Sequence, residues 1–240
     1  MPKGLHIFGL VHLAILGMVP IFAAALAALQ RAVPVWGKGI RYSLAFLLLM
    51  STVLYYGSFV VSGARMFPDH MPLELCDLSL WLVIAALLTR RPGVFDLAYY
   101  WGAAGASMAL LTPNLLEPSL FSSVQFFADH GLIVAAVLYL VWSKQARPRP
   151  GSAVRAWLTL NVVAAFVGGF DFLFKTDFMF LRAKPPTVSL LDVFGPWPWY
   201  IVVCECAGIV LFVLLYLPFR REGARAETQE SSELLLRAGS

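Results

Sequence analysis

Two residues in this chain are of the types that make and break acyl bonds: a thiol, Cys76, and an imidazole, His130. A cysteine sulfur attacks a carbonyl carbon once a base takes its proton, and an imidazole within reach is a common base for it. Cys76 falls in the first turn of an apolar run, so the positive end of a helix dipole would face the sulfur. His12, Asp171 and Glu205 also interrupt apolar runs. Ionisable side chains at membrane depth are expensive, and each therefore counts as a functional candidate. Bland readings compete with every one of them: free cysteine is commonly a small buried residue, and an intramembrane histidine can simply hydrogen-bond across helices. Glu74 and Asp77 flank Cys76, and Asp129 precedes His130. At about 100° per residue, these carboxylates are expected on other helix faces. A zinc site from His12, Cys76 and His130 has no local ligand spacing behind it.

The elements that must position these groups are transmembrane helices. Of the 240 residues, 60% are hydrophobic and 13% charged, about half the charged share of a soluble domain. Long Leu, Ala, Val and Phe runs without strand alternation exclude a barrel and make the fold all-α. A seven-helix bundle is expected, with spans near 5–29, 40–61, 73–88, 94–111, 121–142, 156–174 and 199–217. Residues 220–240 form a polar tail, expected to be disordered and cytoplasmic. Loops after the first, third and fifth spans hold Arg31, Lys38, Arg90, Arg91, Lys144, Arg147 and Arg149; the opposite side is poor in basic residues. This bias puts the N-terminus outside and the C-terminus in the cytoplasm of a multi-pass protein in a bacterial inner membrane. Counting about 1.5 Å per residue, His12, Cys76, His130, Asp171 and Glu205 all fall in the outer halves of their spans. One polar chamber open to the outer side would collect them. No cleavable leader is expected, because the first run continues without a polar break.

Several function classes drop out. No HExxH, GxSxG, phosphate loop or nucleotide fingerprint is present, and the last span lacks a lysine for a Schiff base. Cys76, Cys204 and Cys206 show no CxxC or Cys/His spacing. The net charge of +4 comes from loop residues beside apolar runs rather than a continuous patch, so nucleic acid is not an expected partner. Neither a metal nor another cofactor is required.

Local strings then go beyond composition. Pro72-Leu73-Glu74-Leu75-Cys76-Asp77-Leu78, Leu97-Ala98-Tyr99-Tyr100-Trp101-Gly102, Phe126-Phe127-Ala128-Asp129-His130-Gly131 and Gly195-Pro196-Trp197-Pro198-Trp199-Tyr200 together resemble the bacterial YwaF-like integral membrane proteins. The resemblance spans about 5–219. It implies kinship with a wider family whose animal members include a multi-pass acyltransferase acting on ether phospholipids, with a membrane cysteine and histidine as the catalytic pair. Carried over, that pair is Cys76 and His130, and His12 matches a histidine of the first helix. The expected function is a lipid acyltransferase or transacylase working through a thioester on Cys76, with membrane phospholipid or lysophospholipid as substrate. With water as the acceptor, the same pair makes a lipid hydrolase. His12, Asn114 and Gln125 are candidates for the oxyanion contact or for orienting His130, and Asp171 and Glu205 for supporting polar roles. The alternative expectation is a transporter or small-molecule-binding membrane protein, with Asp171 or Glu205 carrying a proton.

Overall fold

A computed structural model describes residues 7–113, 119–185 and 189–220 of the chain. Among these residues every regular element is helical: α1 (Leu10–Ala32), α2 (Gly37–Val61), α3 (Leu75–Thr89), α4 (Pro92–Trp101), α5 (Ser107–Leu111), α6 (Leu120–Trp142), α7 (Ser152–Phe174) and α8 (Trp199–Tyr216). Five stretches among the described residues are long and apolar enough to cross a membrane: α1, Pro34–Val61, α6, α7 and Trp199–Phe219. The protein is therefore a multi-pass membrane protein by length and composition. α3 is shorter, at 15 residues. The region expected as one helix over 94–111 is α4 and α5 joined through a π-helical turn, Gly102–Ala106. Asn114 and the tail beyond residue 220 lie outside the described residues.

Local chemistry sets the helix ends. Ser119 caps α6, its hydroxyl accepting the Ser122 N–H at 3.0 Å while the Ser122 hydroxyl accepts the Ser119 N–H at 2.9 Å. Pro92 opens α4, where its missing N–H costs nothing. Gly151, at φ +68°, makes the turn into α7.

α6 is the central helix. Half of its most apolar window is buried, against 11% for α7 and α8, whose exposed Val, Leu and Phe side chains suit lipid contact. It packs on α1, α2, α3 and the π-turn, while α7 packs on α4 and α8. The glycines of the π-turn let these helices approach closely. A methyl group added at Gly102 would stand 3.1 Å from Ile133, 3.4 Å from Val137 and 3.5 Å from Val83. One added at Gly105 would stand 3.3 Å from Leu75.

The end of the bundle rich in basic residues is tied by buried polar contacts. Arg41 donates to the Leu87 carbonyl at 3.0 Å and to Gln145, and Tyr139 donates to Gln30. Asp96, almost fully buried, accepts from the Arg149 backbone at 3.1 Å and side chain at 2.8 Å, with Arg155 at 3.8 Å. Tyr100 meets Ser152 at 2.9 Å, and Trp101 donates to the Ala156 carbonyl at 3.1 Å. Nearly every buried polar group here has a partner, which fixes the register of α4 against α7.

At the other end, the segment after α7 folds back over the start of α3. Asp171 accepts from Thr176 at 2.7 Å and from the Phe178 N–H at 3.0 Å. Met179 and Phe180 both take left-handed backbone angles. Their conformation is held by Glu74, which accepts the Met179 N–H at 2.9 Å, and by Tyr200, which donates to the Phe180 carbonyl at 2.5 Å.

Candidate functional site

Cys76 is a half-buried free thiol in the first turn of α3, two residues after the N-cap Glu74. His130 lies buried in α6, with its ring against Phe126 at 4.2 Å between centroids. Its Nδ1 is 2.7 Å from the Phe126 carbonyl oxygen. A carbonyl can only accept, so Nδ1 carries the hydrogen and the lone pair sits on Nε2. That tautomer leaves a base at the ring's far nitrogen.

The helices carrying the two residues run parallel at matching depth. Gly102 faces Val83 of α3 together with Ile133 and Val137 of α6. Moving along the α4–α5 rod, Gly105 faces Leu75. Further along, the Leu110 carbonyl accepts from His12, whose ring meets Phe127 at 6.0 Å. Both α3 and α6 thus run antiparallel to the rod. By this register Cys76, next to Leu75, and His130, between Phe127 and Ile133, both lie from Gly102 of the π-turn toward the Leu110 end of the rod. Such turns recur at functional sites, because the extra residue re-aims the helix faces around it. Among the described residues, no hydrogen bond joins Cys76 to His130.

Beside Cys76 lies a polar cluster drawn from α2, α3 and α6. Asp77 and Asp129 are within electrostatic range of each other and of Tyr55, as are Glu74 and Cys76. The Tyr56 hydroxyl lies against Asp77, Ser51 lies against Asp129, and Gln125 donates to Asp129 Oδ2. Helical phase puts Asp77 and Asp129 on faces other than those of Cys76 and His130; both carboxylates meet α2, at Tyr56 and Ser51. The signal was present as Cys76-Asp77 and Asp129-His130, a carboxylate adjacent to each reactive residue.

The other candidates are placed elsewhere. His12 is fully buried, its Nδ1 accepting the Phe8 N–H at 2.9 Å and its Nε2 donating to Leu110 O at 2.8 Å. Both nitrogens are committed to the backbone, so His12 ties α1 to the end of α5. Asp171 organises the segment after α7, within electrostatic range of Glu74. Glu205 accepts from Asn161 at 2.9 Å across the α7–α8 interface. His12, Asp171 and Glu205 serve separate contacts, and Gln125 reaches Asp129, which precedes His130 on α6. Among the described residues, no three His, Cys, Asp or Glu side chains are placed to share a metal ion. A cleft of about 430 Å³ between α1 and α2, lined by Phe22, Leu26, Trp36, Ile40 and Leu47 with Ser43 as its polar side chain, lies toward the other end of the bundle and carries no titratable group.

Comparison with known proteins adds a family. The model of the TMEM164 family matches residues 4–216. A protein of Treponema pallidum (strain Nichols), described as uncharacterized, is 26% identical over 217 residues, covering 89% of each chain. No solved structure matches.

Proposed function

This chain belongs to the TMEM164 family, and from that premise we propose that it is a membrane-embedded lipid acyltransferase in which Cys76 is the nucleophile and His130 the base. What supports the reading is that α3, which carries Cys76, packs on α6, which carries His130, and that the Phe126 carbonyl holds His130 in the tautomer that frees Nε2. The resemblance to YwaF-like membrane proteins and to animal ether-phospholipid acyltransferases supports the same pair.

The chemistry runs in two halves. As Sγ attacks the ester carbonyl of a donor phospholipid, Nε2 takes the thiol proton. The tetrahedral intermediate collapses, the C–O bond breaks, and the departing lysolipid oxygen receives that proton. A thioester remains on Cys76. An acceptor alcohol then gives its proton to Nε2 and attacks the thioester, the C–S bond breaks, and the thiolate is reprotonated. Water in place of the alcohol makes the product a free fatty acid. Neither half needs a metal or nucleotide. Gln125, whose amide reaches Asp129 next to His130 in the chain, and Asn114 are the candidate oxyanion donors.

Intact-protein mass analysis after incubation in phospholipid nanodiscs tests this. Wild-type protein is expected to carry an acyl-sized increment released by neutral hydroxylamine, and Cys76→Ala to carry none. The same increment on Cys76→Ala removes the sulfur from the mechanism.

We further infer seven crossings in a bacterial plasma membrane, with α3 and the α4–α5 rod as the two short ones. The N-terminus then lies outside and the C-terminus in the cytoplasm. The basic end of the bundle supports this orientation. Alkaline phosphatase fused after Thr112 is expected to be active and fused after Arg220 inactive. The reverse pattern overturns the orientation.

A further inference from the structure

The segment after α7 is held against the start of α3 in a conformation that its own residues resist. Met179 and Phe180 are consecutive, neither is glycine, and their φ angles are +56° and +55°. In that region Cβ crowds the backbone, so such residues persist only where the surroundings over-determine them, and they gather at clamps and switch regions. Four side chains supply the constraint. Asp171 of α7 accepts the Phe178 N–H, Glu74 at the start of α3 accepts the Met179 N–H, Tyr200 of α8 donates to the Phe180 carbonyl, and Trp197 donates to the Leu181 carbonyl at 3.1 Å. Arg182 closes the segment on itself, donating to the Thr176 carbonyl at 2.7 Å. The two faces differ. Lys175 and Arg182 are exposed, whereas Thr176 and Phe178 are buried. Beneath them the Phe178 ring meets Phe170, and Phe67 stands edge-on to Phe170 and Phe174. A polar outer face over an aromatic inner one separates water from the interior of the bundle.

The grip on Glu74 ties this segment to the thiol, because Glu74 precedes Cys76 by two residues at the start of α3. A thioester on Cys76 has two competing acceptors. When water is the acceptor, it gives a proton to Nε2 and attacks the carbonyl carbon, the C–S bond breaks, the thiolate is reprotonated and a fatty acid leaves. A lysophospholipid is dissolved in the bilayer and approaches between helices, whereas water enters from the end of the bundle. Shutting that end suppresses hydrolysis of the intermediate and leaves transfer open. We propose that the segment 176–182, pinned by Glu74, Asp171 and Tyr200, is a water-excluding cover that directs the acyl chain on Cys76 to a lipid alcohol instead of water. This rests on the acyl-transfer reading above. Glu74 and Tyr200 are then positioning residues, acting through the backbone they hold.

The test uses full-length protein in nanodiscs of chain-deuterated phosphatidylethanolamine, with unlabelled lysophosphatidylethanolamine and lysophosphatidylglycerol as acceptors. Lipid mass analysis gives the ratio of free deuterated fatty acid to phospholipid carrying one labelled chain, and the Cys76 adduct is read in parallel. General structural damage lowers both products together and leaves their ratio where it was. Wild-type protein is expected to transfer more than it hydrolyses. In Glu74→Ala the ratio is expected to rise about tenfold, the order of one hydrogen bond to a charged group. Glu74→Gln keeps an acceptor for the Met179 N–H and is expected to stay within about threefold of wild type. Tyr200→Phe leaves α3 untouched and is expected to raise the ratio about fivefold through the lost Phe180 contact. If Glu74→Ala does not fold, Tyr200→Phe decides alone. A ratio unmoved in both variants, a rise confined to Glu74→Ala, or a wild type that mainly hydrolyses overturns the inference and leaves the Cys76 thioester standing. Absence of any adduct in the wild type overturns both.

Discussion

His130→Gln is expected to lower acyl turnover by about 10²–10⁴-fold, the usual contribution of a positioned general base. The argument begins at the Phe126 carbonyl, which fixes the hydrogen on Nδ1 and leaves Nε2 as the one basic nitrogen of the ring. Glutamine preserves bulk and can donate to that carbonyl, yet it offers no basic nitrogen. Both halves of the reaction move a proton through Nε2, so both slow together. Substrate contacts away from the ring persist, and the loss falls on kcat more than on KM. Steady-state transfer of a labelled acyl chain in nanodiscs gives both parameters, and thermal unfolding checks that the variant folds. Turnover within about fivefold of wild type would show that another group carries the proton.

The sequence makes the class of the fold legible because apolar runs of spanning length have few physical solutions, and α1, α2, α6, α7 and α8 meet that requirement. The break in the fourth run is a different matter. Gly102-Ala103-Ala104-Gly105-Ala106 announces close helix packing, but the π-turn it forms depends on what presses against it, namely Val83, Leu75, Ile133 and Val137. Cys76 and His130 stand out by type and depth, whereas the seam that brings their helices together joins segments far apart in the chain. A step of about 100° moves Asp77 and Asp129 off the faces of Cys76 and His130, and what meets them there, Ser51, Tyr55 and Tyr56 of α2, comes only from the tertiary structure. The partners of His12 and Glu205, the Leu110 carbonyl and Asn161, could come only from the tertiary structure.

If the π-turn sets the spacing of the reacting pair, then widening it should damage stability and chemistry together. Gly102→Val is the sharpest way to do so. Even a single methyl at Gly102 meets Ile133 at 3.1 Å with Val137 and Val83 close behind, so valine's two further carbons have to push α3 and α6 apart. Overpacking of this kind costs about 1–3 kcal/mol, which thermal unfolding in detergent would register as a lowered midpoint. The effect on function should be larger in proportion, since a misplacement near 1 Å between reacting groups can cost about 10²-fold in rate. Gly169→Val provides the comparison: nothing lies within 4 Å of that position, and valine has the better helix propensity. It is expected to leave both midpoint and adduct formation near wild type. A Gly102→Val protein that melts lower but forms the Cys76 adduct at the wild-type rate would mean that the rod packs the bundle without setting the distance between thiol and imidazole.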